Sequence, residues 1–194
     1  MCNEYEFETH WEEYSRIMAR EALELSSSQR AADFVQKASI RIGDTASVVR
    51  AAGNGVELAP MVFGFPSPRK GAAPVFNFKS EGRHFANSER CLIPASGFFE
   101  FTGSKSPKTR HRFWMTGEAC FAIAGLWRDD DSGPAFTMLT TAPGPDIAPI
   151  HDRQIVILQP KQWATWLYLT KPEGELLKPL PAGTLETAIS PRRK

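Results

Sequence analysis

Short apolar stretches rich in β-branched and aromatic residues recur along the chain, and Gly, Pro, Asp and Ser separate them. Such stretches are typical of strands, and their separators are typical of turns. The pattern predicts strands over residues 45–51, 56–65, 91–101, 112–116, 120–127, 135–141 and 154–158. We expect most of them to pair antiparallel, which gives an α+β fold with a barrel-like, mostly antiparallel β-sheet flanked by helices.

Three segments are predicted to be helical. Residues 9–26 carry a capping box, Thr9 followed by Glu12, and an apolar face formed by Trp11, Tyr14, Ile17, Met18 and Leu25. Residues 160–168 begin with a proline and place Trp163, Trp166 and Leu167 on one stripe. Residues 81–90 are predicted as a short helix, and residues 170–194 form a tail rich in Pro and charge with no assigned structure.

The size of the chain suits one domain, because its 194 residues are 42% hydrophobic and 23% charged. We therefore expect a single domain over residues 1–194, and a monomer. The sequence has neither an apolar run long enough for a bilayer nor the basic start of a signal peptide, so we expect a cytoplasmic protein without a membrane partner. Cys2, Cys91 and Cys120 form no metal-ligand spacing, which predicts reduced thiols and neither metal nor cofactor.

Charge is distributed unevenly, although the net charge is only +1. Acids dominate residues 4–24, whereas residues 69–114 contain nine Lys or Arg against three Glu. The same basic segment holds eight aromatic side chains: Phe76, Phe78, Phe85, Phe98, Phe99, Phe101, Phe113 and Trp114. It can form a groove in which phosphates meet cations and bases meet rings. The alternative is a solvated basic face over a phenylalanine-rich core.

The second residue, Cys2, has a chemistry that no internal cysteine shares. Once Met1 is removed, its α-amine and its thiol sit on adjacent carbons. An amine with a pKa of about 7.7–8.0 and a thiol with a pKa of about 8.5 both supply some nucleophile near neutral pH. An aldehyde reacts with the amine to give a Schiff base, and the thiol then closes a thiazolidine ring. The alternative is an incidental residue in a frayed terminus.

Three further residues are candidates for the same chemistry. His151 precedes a predicted strand, and its imidazole suits proton transfer near neutral pH. Glu100 is flanked by Phe99 and Phe101, and burial there would raise its pKa. Asn77 offers a donor and an acceptor on a short side chain. Each residue taken singly also has a structural interpretation. His151 fits a structural histidine, Glu100 fits an acid that faces solvent, and Asn77 fits a turn residue. Cys91 and Cys120, in apolar stretches, are assigned to the core.

Several short motifs follow one another in a specific order along the chain. They are Met1-Cys2, Phe63-Gly64-Phe65, Asn77-x-Lys79-x-Glu81, the run from Cys91 to Phe101 (CLIPASGFFEF), Ala124-Gly125-Leu126-Trp127, and Thr140-Thr141-Ala142 ahead of Ile150-His151-Asp152-Arg153. In this order and at these separations they resemble the SRAP family, the SOS-response-associated peptidases that shield abasic sites in single-stranded DNA. The resemblance covers roughly residues 1–168.

The resemblance implies a role for each candidate residue. Cys2 would crosslink to the aldehyde of the abasic site, Asn77 would position it, and Glu100 would move protons. His151 would help to open the sugar and release the 3′ side, a lyase-like step, and autocatalytic removal of Met1 is a further implied activity. The implied DNA-binding residues are Lys79, Arg83 and Arg153, with Phe63 against a base. The partner would be single-stranded DNA, with which the protein would associate at the nucleoid.

The chain departs from the family pattern at positions expected to contact DNA. Family members usually open Cys-Gly-Arg-Phe, whereas this chain reads Cys2-Asn3-Glu4-Tyr5. A phosphate-binding arginine is thereby replaced by Glu4, which we expect to repel a phosphate. Lys79 stands where arginine is usual, so the charge is kept without the bidentate fork, and Phe63 replaces the usual tryptophan.

Two other functions remain open from the residues alone. A cysteine peptidase or amidohydrolase would use Cys2 against a carbonyl with His151 as base. A binding module would hold single-stranded DNA by stacking and charge without covalent chemistry. The crosslinking hypothesis requires an adduct that survives denaturation, the hydrolase hypothesis requires turnover of an amide, and the binding hypothesis requires salt-sensitive affinity that is indifferent to Cys2→Ala.

Overall fold

The structure is a computed structural model that describes residues 2–25, 34, 36–53, 55–67, 69 and 71–191. These residues form two β-sheets and a few short helices. The strands are β1 (Glu4–Phe7), β2 (Lys37–Arg41), β3 (Thr45–Ala52), β4 (Gly55–Phe63), β5 (Asn77–Lys79), β6 (Arg90–Ala95), β7 (Gly97–Thr102), β8 (Thr109–Met115), β9 (Phe121–Asp130), β10 (Gly133–Thr141), β11 (Gln154–Ile155), β12 (Ile157–Leu158) and β13 (Leu185–Ile189).

Five strands of the larger sheet close into a barrel. β3 pairs antiparallel with β4 and with β6, β6 pairs with β9, and β9 pairs with β10. β10 then pairs with β4 in parallel, which completes the ring. The short strands β5 and β11 extend β10 on its two sides, and β12 adds to β9. The predicted α+β fold with a barrel-like, mostly antiparallel sheet is confirmed.

The smaller sheet brings the amino-terminal strand beside two central strands. Its order is β13-β8-β7-β1-β2, with all pairs antiparallel. β7 follows β6 after the single residue Ser96, so the chain passes from the barrel into this second sheet almost without a loop. The predicted strand 91–101 is therefore two strands in two different sheets. The prediction of one domain over residues 1–194 stays a prediction, although residues 185–189 of the supposed tail are paired with β8.

The amino-terminal helix is shorter than predicted, whereas residues 160–168 are helical as predicted. α1 (Trp11–Arg20) begins after His10 and ends before Ala22, which has a positive φ of 55°, whereas residue 26 lies outside the described residues. The capping box is wrong, because the Thr9 hydroxyl donates to Ala119 O instead of to the first helical turn. A 3-10 turn (Pro160–Gln162) leads into α2 (Trp163–Tyr168), whose predicted stripe is buried, and α3 (Glu173–Leu176) follows. None of the described helices has the length and apolar character needed to cross a membrane.

Residues 81–89 form turns and irregular chain, and Arg90 begins β6, so the helix predicted over residues 81–90 is wrong. Arg90 organises this segment from the start of β6. Its guanidinium donates to carbonyls of Phe85 and Ser88 at 2.8 and 3.0 Å, and to the carbonyl of Trp166 in α2 at 3.1 Å. These hydrogen bonds tie the turns of this segment to β6 and to α2.

Candidate functional site around Cys2

Cys2 lies two residues before β1, which is flanked by β7 and β2 in the smaller sheet. β1 pairs antiparallel with β7, with Tyr5 opposite Phe98, so the chain before β1 runs along the part of β7 that carries Glu100. Cys2 is 1% exposed, and its Sγ donates to Glu4 O at 3.3 Å. Burial raises the pKa of the Cys2 thiol well above its usual range, and the charge of Glu100 raises it further. The thiol is therefore protonated at neutral pH.

Asn77 is held against Cys2 from the barrel. β5 places Asn77 opposite Met138 of β10, and its Nδ2 donates to Cys2 O at 2.8 Å. Its other amide atom, Oδ1, is buried and accepts no hydrogen bond from the described residues. An unpaired buried acceptor costs about 1–3 kcal/mol. A donor brought by a bound molecule would remove that cost.

Glu100 is buried in β7, with 1% of its surface exposed, so its expected burial is confirmed. Burial raises the pKa of Glu100 from 4.5 to about 7, and the nearby charge of Asp152 acts in the same direction. A carboxyl group with a pKa near the ambient pH both gives and accepts protons efficiently. The effect on the Cys2 thiol pKa shows that the two side chains are close enough to interact electrostatically.

His151 faces Glu100 from the loop between β10 and β11. Its Nε2 lies 3.7 Å from Glu100 Oε2. The backbone N–H of Arg153 donates to His151 Nδ1 at 3.0 Å, so we assign the ring proton of neutral His151 to Nε2. Asp152 Oδ1 is also 3.0 Å from Nδ1 and would favour a proton on that nitrogen, but the Asp152 side chain is 91% exposed. The Arg153 N–H can only donate, so it requires Nδ1 to be the acceptor. Burial lowers the pKa of His151, which favours the neutral ring.

The loop that carries His151 is fixed by buried contacts. The N–H of His151 donates to Ile147 O at 2.9 Å, and Ile147 has no exposed surface. At the base of the loop, buried Gln154 accepts the Gly144 N–H at 2.6 Å. A Cβ on Gly144 would lie 2.8 Å from Leu180 O, so the chain approach there requires glycine. The imidazole is thus presented by a rigid turn.

These four side chains can attack an electrophile and move protons around it. Cys2 supplies a thiol, Glu100 and His151 form a proton-carrying pair, and Asn77 holds the backbone of Cys2. No group of three His, Cys, Asp or Glu side chains within the described ranges could hold a metal ion. Cys91 and Cys120 are buried elsewhere in the core, as predicted.

The predicted DNA-binding cations differ in their availability. Lys79 and Arg83 have exposed side chains, and the Arg83 guanidinium lies 5.4 Å from the centre of the Phe78 ring. Arg153 is held in a bidentate ion pair with Glu81, with distances of 2.6 and 2.8 Å. The hydrogen bond from Arg153 lowers the pKa of Glu81 to about 2. A phosphate at Arg153 must therefore compete with Glu81.

Phe63 is in the core, which contradicts its predicted place against a base. None of its surface is exposed, and its ring stacks on Phe136 with centroids 5.1 Å apart. The wider prediction of an aromatic groove needs the same correction, because half of the rings in the basic segment are buried: Phe85, Phe98, Phe99 and Phe113. Substituting phenylalanine for the usual tryptophan removes the polar N–H that would favour a partly wet position.

The model of the family described as SOS response associated peptidase (SRAP) matches residues 1–190. The chain belongs to the SRAP family. This confirms the resemblance given by its motifs. The SRAP match also extends beyond the motifs, since it includes most of the residues after 168.

Curated relatives match less than half of the chain. The abasic site processing protein YoqW of Bacillus subtilis is 34% identical over 100 residues, which are 48% of this chain and 44% of that protein. The abasic site processing protein YoaM of the same organism is 37% identical over 86 residues, covering 41% and 38% of the two chains. The chain therefore matches less than half the length of each of these relatives.

Solved structures share the SRAP fold of this chain over nearly its whole length. An X-ray structure of a protein from Bordetella bronchiseptica has a TM-score of 0.72 at 23% identity, and covers 98% of this chain and 100% of that one. A protein from Bacteroides thetaiotaomicron has the same TM-score at 16% identity, with 97% and 91% coverage. At these identities the likeness concerns the fold alone.

Sequence reasoning missed a pair of ion pairs that hold the amino-terminal strand of this SRAP chain. Glu4 accepts a hydrogen bond from Arg110 at 2.8 Å, and both side chains are 5% exposed. Glu6 accepts from Arg112 Nε at 2.7 Å, across Gly97 of β7. A Cβ on Gly97 would lie 2.7 Å from Glu6 Oε1, so glycine is needed there. The available signal was the matching period of two, with acids in β1 and arginines in β8.

Proposed function

We propose that this SRAP chain processes abasic sites in single-stranded DNA by forming a thiazolidine crosslink through Cys2. The observation that carries the proposal is the convergence of Cys2, Asn77, Glu100 and His151, drawn from four separate parts of the chain, on one buried site. The names of the curated relatives, all abasic site processing proteins, support the same function.

The chemistry begins with removal of Met1, which leaves the α-amine of Cys2. The ring-opened sugar of an abasic site carries an aldehyde, and the amine nitrogen adds to its carbon. Loss of water from this adduct gives a Schiff base. The thiol then adds across the carbon–nitrogen double bond, so that sulfur bonds to carbon and nitrogen regains a proton. The net reaction joins one aldehyde to Cys2 and releases one water.

The pKa values of the site favour one order of these steps. Burial keeps the Cys2 thiol protonated, whereas an α-amine with a pKa of about 7.7–8.0 is partly neutral at pH 7. The amine is therefore the first nucleophile. Glu100, with its pKa raised to about 7 by burial, accepts the proton of the attacking amine and returns it to the departing hydroxyl. It then carries the thiol proton to nitrogen as the ring closes.

His151 is suited to the opening of the sugar. Neutral His151 presents its Nε2 proton toward Glu100 and can exchange protons with a sugar oxygen placed between the two groups. Such a pair passes a proton in either direction without a change in net charge. The same pair can assist release of the 3′ side of the strand, the lyase-like step.

The raised pKa of the Cys2 thiol disfavours the hydrolase alternative. A cysteine peptidase needs a thiolate, usually formed by a histidine in contact with the sulfur. Here Sγ donates to Glu4 O at 3.3 Å, and His151 Nε2 lies beside Glu100 instead. The other alternative, non-covalent binding of single-stranded DNA, is distinguished from crosslinking by the effect of Cys2→Ala in the experiment below.

The test is incubation of the purified protein with a single-stranded oligonucleotide that contains one abasic site. A denaturation-resistant band is expected, and intact mass should show the loss of Met1. Cys2→Ala should abolish the band, while Cys2→Ser should leave only a reducible Schiff base. Cys120→Ala removes another buried thiol and should leave the band unchanged. A band of full intensity with Cys2→Ala would overturn the proposal.

A further inference from the structure

A cavity of about 350 Å³ opens beside the residues that follow Cys2. It is lined by Asn3, Glu4, Arg41, Ile42, Phe101 and Lys108. Glu4 is two residues from the nucleophile, a separation of about 7 Å in an extended chain. The cavity is therefore within reach of a nucleotide next to one that reacts with Cys2.

The polar groups of this cavity are arranged for an uncharged donor. Ser39 and Arg110 donate to Glu4 Oε1 at 2.7 and 2.8 Å. Burial would raise the pKa of Glu4, but these hydrogen bonds outweigh it, and the pKa lies below its usual value. The carboxylate is therefore ionised and accepts only. Its second oxygen, Oε2, receives no hydrogen bond from the described residues.

The charge of Glu4 determines which part of a nucleotide can contact it in the cavity. At Glu4 Oε2 a phosphate would meet an ionised acceptor, whereas a base carries no net charge and can donate from an exocyclic amine. Phe101, which is half-buried, contributes an apolar wall to the cavity. Arg41 and Lys108 also line the cavity and are exposed, so they can meet neighbouring phosphates, but Arg41 already donates to Glu4 Oε1 at 3.4 Å.

We propose that this cavity binds the base adjoining the abasic residue and that Glu4 Oε2 accepts a hydrogen bond from an exocyclic amine of that base. The proposal rests on the proposed function. It makes Glu4, which stands in place of a phosphate-binding arginine, a specificity-determining residue. Cytosine presents an amine where uracil and thymine present a carbonyl oxygen, which the carboxylate repels. The cavity therefore favours cytosine over both.

The test compares oligonucleotides that differ only in the base on the 5′ or the 3′ side of the abasic site. With cytosine, the crosslinking rate at subsaturating protein should exceed that with uracil or thymine by about tenfold, on one of the two sides. Equal rates for cytosine and uracil on both sides would overturn the inference while leaving the crosslink intact. Rates that fall only for thymine would also overturn it, because the methyl group would then be responsible.

A protein variant gives a second test. Glu4→Gln should reduce the cytosine-to-uracil ratio to about one. Because Arg110 loses its buried partner, this variant will be less stable, but a ratio of two rates does not depend on the fraction folded. Glu57→Gln is the matched control, since Glu57 pairs with Arg50 at 2.6 Å outside the cavity, and it should keep the ratio. An unchanged ratio with Glu4→Gln would refute the role of Glu4. Absence of any crosslink with every oligonucleotide would instead refute the proposed function.

Discussion

Glu100 is expected to make the folded protein less stable as the pH rises from 5 to 8. Its pKa is about 7 in the folded protein and 4.5 as the unperturbed value, which we take for the unfolded chain. Below pH 4.5 both states hold the proton. Between 4.5 and 7 the unfolded chain releases it while the folded protein keeps it, so stability falls with pH and then levels off above 7. Because one pKa unit corresponds to 1.36 kcal/mol, the total loss is about 3 kcal/mol.

Replacement of Glu100 by glutamine removes the titration and keeps the shape of the side chain. Urea denaturation at pH 5, 6, 7 and 8 gives the free energy of unfolding of each protein. The value for the native sequence minus that for Glu100→Gln should decline by about 2.5 kcal/mol from pH 5 to pH 8, because part of the total loss has already occurred at pH 5. His151 titrates in a nearby range, and the subtraction largely removes its contribution. Glu175→Gln, at an exposed position in α3, controls for the substitution itself.

A difference that stays constant between pH 5 and pH 8 would refute the reasoning. So would a difference that grows with pH, because that slope belongs to a carboxyl group whose folded pKa is lowered. Either result would mean that Glu100 is ionised throughout, and it could not then return a proton to the departing hydroxyl in the proposed reaction.

Three further perturbations test other parts of the structure. Gly97→Ala should lower the free energy of unfolding, measured by urea denaturation, by about 2 kcal/mol, because the new Cβ would lie too close to Glu6 Oε1. A loss below about 0.5 kcal/mol would contradict this close approach of Glu6 to Gly97. Glu81→Gln should release Arg153 and steepen the salt dependence of binding to single-stranded DNA by about 0.7 in the log–log slope; an unchanged slope would exclude a phosphate at that arginine. Asn77→Ala should slow crosslinking about tenfold while costing less than about 1 kcal/mol of stability, and an unaltered rate would remove its positioning role.

The barrel strands were predictable because their signal is local. Residues 45–51 and 135–141, for example, are apolar, β-branched runs bounded by turn residues, and they correspond to β3 and β10 to within two residues. Strand β1 was missed although Glu4–Phe7 alternates polar and apolar residues. Glutamate is depleted in strands. Its burial there becomes favourable only through arginines 106 residues away, and no local pattern contains that information.

The candidate site shows the same division. The order of motifs predicted that Cys2, Asn77, Glu100 and His151 act together, and the fold does bring these residues close to one another. The sequence did not show which cations are already paired with acids of the same protein. Arg153 appeared as a cation for DNA, yet Glu81 already holds it in a bidentate pair. A count of charges along the chain measures what could contact DNA, and only the folded structure tells which cations are engaged within the protein.

The ion pairs of β1 have a consequence for the reaction as well as for the fold. An amino-terminal nucleophile would ordinarily be frayed, and immobilising it during the reaction would cost conformational entropy. Here β1 is fixed by its pairing with β7 and by two ion pairs, and Asn77 holds the carbonyl of Cys2. Removing one partner of a buried pair costs about 3–5 kcal/mol, so β1 does not detach readily. In the proposed reaction, much of the entropic cost of placing Cys2 against an aldehyde is therefore met when the protein folds, before any DNA is bound.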